Sequence, residues 1–134
     1  MYQVNVPRVV HETLDGETVV IDTATGIYYT AAGNAARLWE ALAAGADPAV
    51  LDAVCADIGY VAGAFGAFRD SLVSSELLVP RAGGSIAVAP PVLDAALPPP
   101  ELVRHADLQE LIELDPIHEV DTAQGWPFRG PETP

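Results

Sequence analysis

The sequence has no lysine, one cysteine and one methionine. Its positive charge rests on scattered arginines, Arg8, Arg37, Arg69, Arg81, Arg104 and Arg129, and its formal net charge is −13. Nucleic-acid binding draws on clustered lysine and arginine that displace counterions from phosphate, and this chain presents the opposite field. An anionic membrane surface is disfavoured for the same reason. The expected partners therefore include no nucleic acid and no membrane, whereas a neutral or basic peptide is electrostatically acceptable. A lone Cys55 excludes an intrachain disulfide. Lying between Val54 and Ala56, it reads as a small buried hydrophobe. No apolar run approaches the roughly 18 residues of a membrane span. The opening Met1 to Arg8 is not a charged region followed by an apolar one, as a secretory signal requires. A soluble cytoplasmic protein is expected.

Reactive groupings are equally scarce. His11, His105 and His118 are too isolated to form a metal site. His118 has Asp115, Glu119 and Asp121 nearby, but that grouping reads as a solvated acidic tail rather than a ligand set. No glycine-rich phosphate loop is present. Ser74 and Ser75 have no paired base to make a nucleophile, and the acidic pairs lie in surface-like contexts. No catalytic residue, no metal and no cofactor are expected, and the chain does not read as an enzyme.

What the chain does have is apolar residues, which make up 50% of its 134 positions. That suffices for one small domain with a tail, of modest stability on the order of 5 kcal/mol. Residues 4–32 read as β. Val9, Val10 and Leu14 surround polar His11, Glu12 and Thr13. Asp15-Gly16 then turns the chain into Glu17 to Asp22, and Thr23 to Gly26 breaks it again before Ile27 to Thr30. Short β-branched runs with such breaks predict an antiparallel meander, because short connections cannot support a parallel crossover. Alternation in the third run sets Tyr29 and Ala31 on the inner face, with Tyr28 and Thr30 outward.

From Gly33-Asn34 the period becomes helical. Ala35, Leu38, Trp39 and Leu42 share a face, with Asn34 as the expected N-cap and Gly45 as the stop. Trp39 reads as core. Asp47 and Pro48 start a second helix as N-cap and first residue, with Val50, Leu51, Val54, Cys55 and Ile58 as its apolar stripe. A third helix is expected over 61–74 with Phe65, Phe68, Leu72 and Val73, weakened by Gly63 and Gly66. Leu77 to Val79 reads as a short closing strand. Six prolines then fall within 80–100 beside Gly83-Gly84, which predicts an extended linker over 81–100. Helical pattern returns over 101–114 with Leu102, Val103, Ala106, Leu111 and Ile112. Its start is as late as Asp107 if Asp107 and Glu110 make a capping box, and Asp115-Pro116 ends it. The remainder of the acidic tail, 101–134, carries isolated large apolar side chains, Trp126 and Phe128 among them. Leu108 to Pro127 is expected to dock on a partner or on the domain itself, through Leu111, Ile112, Ile117, Val120 and Trp126.

The expected fold is thus α+β: a small winged-helix-like domain over 1–80, with a three-stranded antiparallel sheet, three helices and a short closing strand, plus a tail helix. Within it, Glu12-x-Leu14-Asp15-Gly16-Glu17-x-Val19-Val20-Ile21-Asp22, then Gly26-Ile27-Tyr28-Tyr29, then Ala35-Ala36-Arg37-Leu38-Trp39-Glu40-Ala41-Leu42, then Phe68-x-x-x-Leu72, resemble the PqqD-like family over about residues 4–80. These are recognition elements for ribosomally made, post-translationally modified peptides. Ala31 and Ala32 depart from the Leu-Asn pair usual there. The resemblance implies that a precursor's leader peptide is bound as an added strand beside the third strand, against the third helix, and is presented to a separate modifying enzyme. It places the edge at Ile27, Tyr28, Tyr29, Thr30 and Ala31. The groove wall falls at Phe65, Phe68, Arg69, Leu72 and Val73, with Arg69 available to an acidic leader residue. An unpaired strand edge is a ready template for a second chain. Two alternatives stand beside this: a self-contained precursor whose own C-terminal tail is the modified substrate, and a winged-helix DNA-binding regulator. Against the regulator, the third helix offers only Arg69, beside Asp70.

Overall fold

The computed structural model describes residues 1–84 and 86–105. Asp15 and Gly16 both take positive φ, 54° and 78°, the backbone of a two-residue hairpin turn. They join β2 (Val9–Leu14) to β3 (Glu17–Asp22), while β1 (Tyr2–Val4) precedes them. A second turn through Gly26 leads to β4 (Tyr28–Ala32). The expected meander is present, antiparallel throughout, with Val20 opposite Tyr29 and Thr18 opposite Ala31. Period-two alternation puts Val9, Thr18, Val20, Asp22, Tyr29 and Ala31 inside, while Tyr28 and Thr30 stay half-buried on the outer face.

Three helices back this sheet: α1 (Asn34–Ala43), α2 (Pro48–Asp57) and α3 (Ala64–Ser74). Leu38, Trp39 and Leu42 of α1, Leu51 and Cys55 of α2, and Phe65, Phe68 and Leu72 of α3 meet the inner sheet residues in one buried cluster. Trp39 is fully buried and donates its indole N–H to His11 Nδ1 at 3.1 Å, which satisfies the one polar group a buried indole brings. Asp47 caps α2 through a 2.9 Å bond from the Ala49 N–H, with Pro48 at the first helical position. Two details differ from expectation. Gly33, not Asn34, is the residue before α1, with φ 63°, and Asn34 is buried at the helix start with its amide turned elsewhere. Val50 is 42% exposed, while Leu51 and Cys55 are buried and Val54 and Ile58 pack half-buried against the core.

The closing strand exists as β5 (Leu78–Pro80) and pairs with β1, Val4 opposite Leu78 and Tyr2 opposite Pro80. This second, two-stranded sheet holds the N-terminal segment to the end of the helical part. Arg8 adds a side-chain clamp nearby. Its guanidinium donates to both Asp22 carboxylate oxygens, at 2.8 and 2.7 Å, and to Glu76 at 2.7 Å. Asp22 is buried, and the Arg8 hydrogen bonds hold its carboxyl well below the usual carboxylate range, at about 2.

Residues 81–84 and 86–100 form no helix, as their prolines dictate, and apart from a turn at 95–97 they lie along the domain as a strap. The Ile86 N–H bonds to Gly45 O at 3.0 Å, and Arg37 donates to Val92 O at 2.7 Å. Leu93 is buried in the core cluster. The strap crosses two glycines of positive φ, where a Cβ at Gly45 or Gly33 would stand 3.1 Å from Ile86 or Leu97. The strap ends in β6 (Val103–Arg104), which joins the larger sheet to give the order β2-β3-β4-β6. Helical pattern was expected from residue 101, yet Val103 and Arg104 are extended. A neighbouring strand edge that offers backbone partners outweighs weak local propensity. The helix expected further on lies outside the described residues.

Candidate functional site

The outer edge of β4 is where the sequence reading and the strap converge. In an antiparallel strand, backbone groups point alternately to the two neighbours. The bond from Asp22 N–H to Ile27 O sets the phase for β3, and the bond from His105 N–H to Tyr28 O, 2.8 Å, sets it for the opposite side. Tyr29 and Ala31 therefore bond inward to β3, while Tyr28, Thr30 and Ala32 present their N–H and C=O groups outward. That outward row is a strand edge whose backbone groups can pair with a further strand. β6 fills part of it, antiparallel, with Thr30 opposite Val103 and Tyr29 opposite Arg104.

Side chains fix the register. The His105 ring lies flat against the Tyr28 ring, centroids 4.6 Å apart at an interplanar angle of 4°. Its Nε2 stands 2.9 Å from Thr30 Oγ1. Leu102, on the other face, packs against the core cluster. Beyond Thr30 the edge is open. A cavity of about 370 Å³ lies between Thr30, Ala32 and Val103 on one side and Leu97 to Pro99 on the other. A larger hollow, about 640 Å³, lies on the outer face of β2 and β3, lined by Val10, Leu14, Val19 and Ile21 with Glu12, Asp15 and Glu17 at its rim.

The strap is pinned beside this edge by a buried polar junction. Asn34 Nδ2 donates to Asp94 O at 2.8 Å, and Asn34 Oδ1 accepts from the Asp94 N–H at 2.9 Å. Tyr60 Oη bonds to the Asn34 amide and to Leu97 O and Pro98 O at 3.0 and 2.8 Å. Two side chains thus satisfy backbone groups of a segment that has no ladder of its own.

Of the expected site residues, Ile27, Tyr28, Tyr29, Thr30 and Ala31 fall together on β4 or at its start. Tyr29 and Ala31 point into the core, so their contribution to the edge is positional. Phe65, Phe68 and Leu72 are all within 2% of full burial and serve as core. Of the groove residues expected on that helix, the half-buried ones are Arg69, which bonds to Asp70 at 3.1 Å, and Val73. What flanks the β4 edge is the strap. The edge was expected to be free, and its middle is instead paired with residues from beyond the helical domain. Asn34, Tyr60, Leu97 and His105 were not singled out for the site by sequence, apart from the break at Gly33-Asn34. Leu111, Ile112, Ile117, Val120 and Trp126 lie outside the described residues. Among the described residues no cluster of His, Cys, Asp or Glu could hold a metal ion, and no helix is long and apolar enough to cross a membrane. Comparison with family models, curated proteins and solved structures finds no match.

Proposed function

We propose that this chain binds a peptide by strand addition along the outer edge of β4 and presents it to a separate modifying enzyme. One observation carries the reading: the β4 edge receives an extended segment in antiparallel register, with a backbone bond at Tyr28 and a stacked ring beside it. A precursor's leader supplies the same backbone groups, each net worth about 1 kcal/mol, and its alternate side chains meet the outer face or the core side. The resemblance to PqqD-like recognition elements points to the same edge and supplies the substrate class, the leader of a ribosomally made peptide. The chain's strong negative charge suits a neutral or basic guest.

The test is titration of the full chain with candidate precursor peptides, followed by amide NMR. Binding near a Kd of 1 μM, about −8 kcal/mol, with the largest shifts at Tyr28, Thr30 and Ala32 supports the proposal. Binding that leaves those amides unmoved, or no binding by any candidate leader, ends it.

A second reading draws on the identity of the present occupant. Because the segment in the slot belongs to this chain, the residues that follow His105 are carried by the domain as a core peptide is carried behind its leader. In this variant the chain is its own precursor. Intact-mass measurement after co-expression with a maturation enzyme separates the two readings: a mass change confined to residues 106–134 favours presentation in cis.

A further inference from the structure

Resting on the strand-addition reading, we infer that the β4 slot selects its guest by side chain. It takes a peptide with histidine opposite Tyr28 and an aliphatic residue three positions earlier. The occupying segment, Leu102 to His105, displays the two anchors. Leu102 turns inward and packs against the core cluster, while the exposed Val103 and Arg104 contribute backbone. His105 turns outward, where two contacts define it. Its ring stacks face to face on Tyr28, directly across the strand pair, and its Nε2 reaches Thr30 Oγ1 diagonally at 2.9 Å. Directly opposed and diagonal neighbours are the positions where a sheet discriminates side chains.

Each alternative residue loses one contact or both. A phenyl ring stacks but brings no nitrogen to Thr30. An asparagine has the polar group without the face. Alanine has neither. Val103 and Arg104, by contrast, are exposed and make no side-chain hydrogen bond or ring contact in the slot. Affinity then comes from main-chain bonds and choice comes from the two anchors.

The present occupant is also replaceable. It pairs with Tyr28, Tyr29 and Thr30 but not with Ala32, which faces the open cavity of about 370 Å³. A guest extended toward its own N-terminus past the aliphatic anchor gains pairing at Ala32 that the strap, turned away at its prolines, does not make.

The experiment uses the full chain carrying V103P and H105A. Proline lacks the N–H through which position 103 pairs with Thr30, so the slot is vacated while the buried core is untouched. The probe is the synthetic peptide Pro-Glu-Leu-Val-Arg-His-Ala, with versions in which its histidine is replaced by alanine or phenylalanine or its leucine by serine. The parent peptide is expected to bind with its largest amide shifts at Tyr28 and Thr30. The alanine and serine versions should bind about three- to tenfold more weakly, with phenylalanine between. Equal binding of the histidine and alanine peptides at β4 overturns the side-chain selection and leaves strand addition standing. Failure of every peptide to bind at β4 overturns both. A second readout needs no added peptide. In the otherwise unaltered chain, H105A should speed hydrogen exchange at the Thr30 amide by a similar factor and leave Tyr29 unchanged. A Thr30 amide indifferent to H105A also overturns the proposal.

Discussion

Asn34→Ala should release the strap from the β4 edge without unfolding the domain. Asn34 makes two bonds to the Asp94 backbone, at 2.8 and 2.9 Å, and a third with Tyr60 Oη. At about 1 kcal/mol net for each bond, roughly 2–3 kcal/mol of local stability is lost. Alanine costs the helix nothing in propensity at this position. Because the strap runs directly into β6, the same free energy is removed from the closed state of the slot. Hydrogen exchange reads it out residue by residue. The Thr30 amide faces β6 and should exchange about 30- to 150-fold faster, at tenfold per 1.4 kcal/mol, up to the free-chain limit. Tyr29 and Ala31 face β3 and serve as internal controls. If all three amides accelerate together, the loss is global and the strap does not govern the edge. If none moves, Asn34 does not hold the strap.

Three further outcomes follow from the core and its charges. Asp22 is held at about 2 by Arg8, so its ion pair stabilises the fold above its unfolded value near 3.8 and fades as pH falls toward 2. Urea denaturation from pH 5 to pH 2 should show about 1–2 kcal/mol of acid-sensitive stability that Asp22→Asn removes; an unchanged acid limb in that variant contradicts the assignment. Trp39→Ala should cost about 3–5 kcal/mol, enough to unfold most of so small a domain, and circular dichroism at 25 °C checks it. Burial pushes the Cys55 thiol up to about 11. A thiol reagent at pH 8 should therefore label the folded chain far more slowly than the chain in 6 M urea, and similar rates would place Cys55 at the surface.

Much of the architecture was legible because periodicity carries it. Asp15-Gly16 forces a two-residue turn, and its flanking β-branched runs can bury one face only by pairing. Leu38, Trp39 and Leu42 can meet a core only on a helix. Asp47-Pro48 names a helix start outright, and alternation placed Tyr29 inside and Tyr28 outside, as found. β1 was less visible, since three residues without a hairpin carry no period, and it forms only because Leu78 to Pro80 is there to receive it. The strap was invisible for a different reason. Its grip comes from its own carbonyls and N–H groups meeting Asn34, Tyr60 and Arg37, and backbone atoms leave no mark on composition. Phe65 and Phe68 illustrate the converse. Resemblance assigned them to a groove wall, but two phenylalanines and a leucine on one helical face are also what a core of this size needs, and there they are buried.

Tethering gives the slot an unusual competitor. The stretch from Arg81 to Leu102 is anchored at both ends, so its last residues sit at the edge with an effective concentration in the millimolar range and never diffuse away. A slot shut about 99% of the time weakens an outside ligand about 100-fold, so a measured affinity reports the rival's hold as much as the newcomer's fit. Linkage also runs backwards: on the proposed reading, a guest that wins the edge displaces Leu102 to His105 from it in the same event, coupling arrival to release.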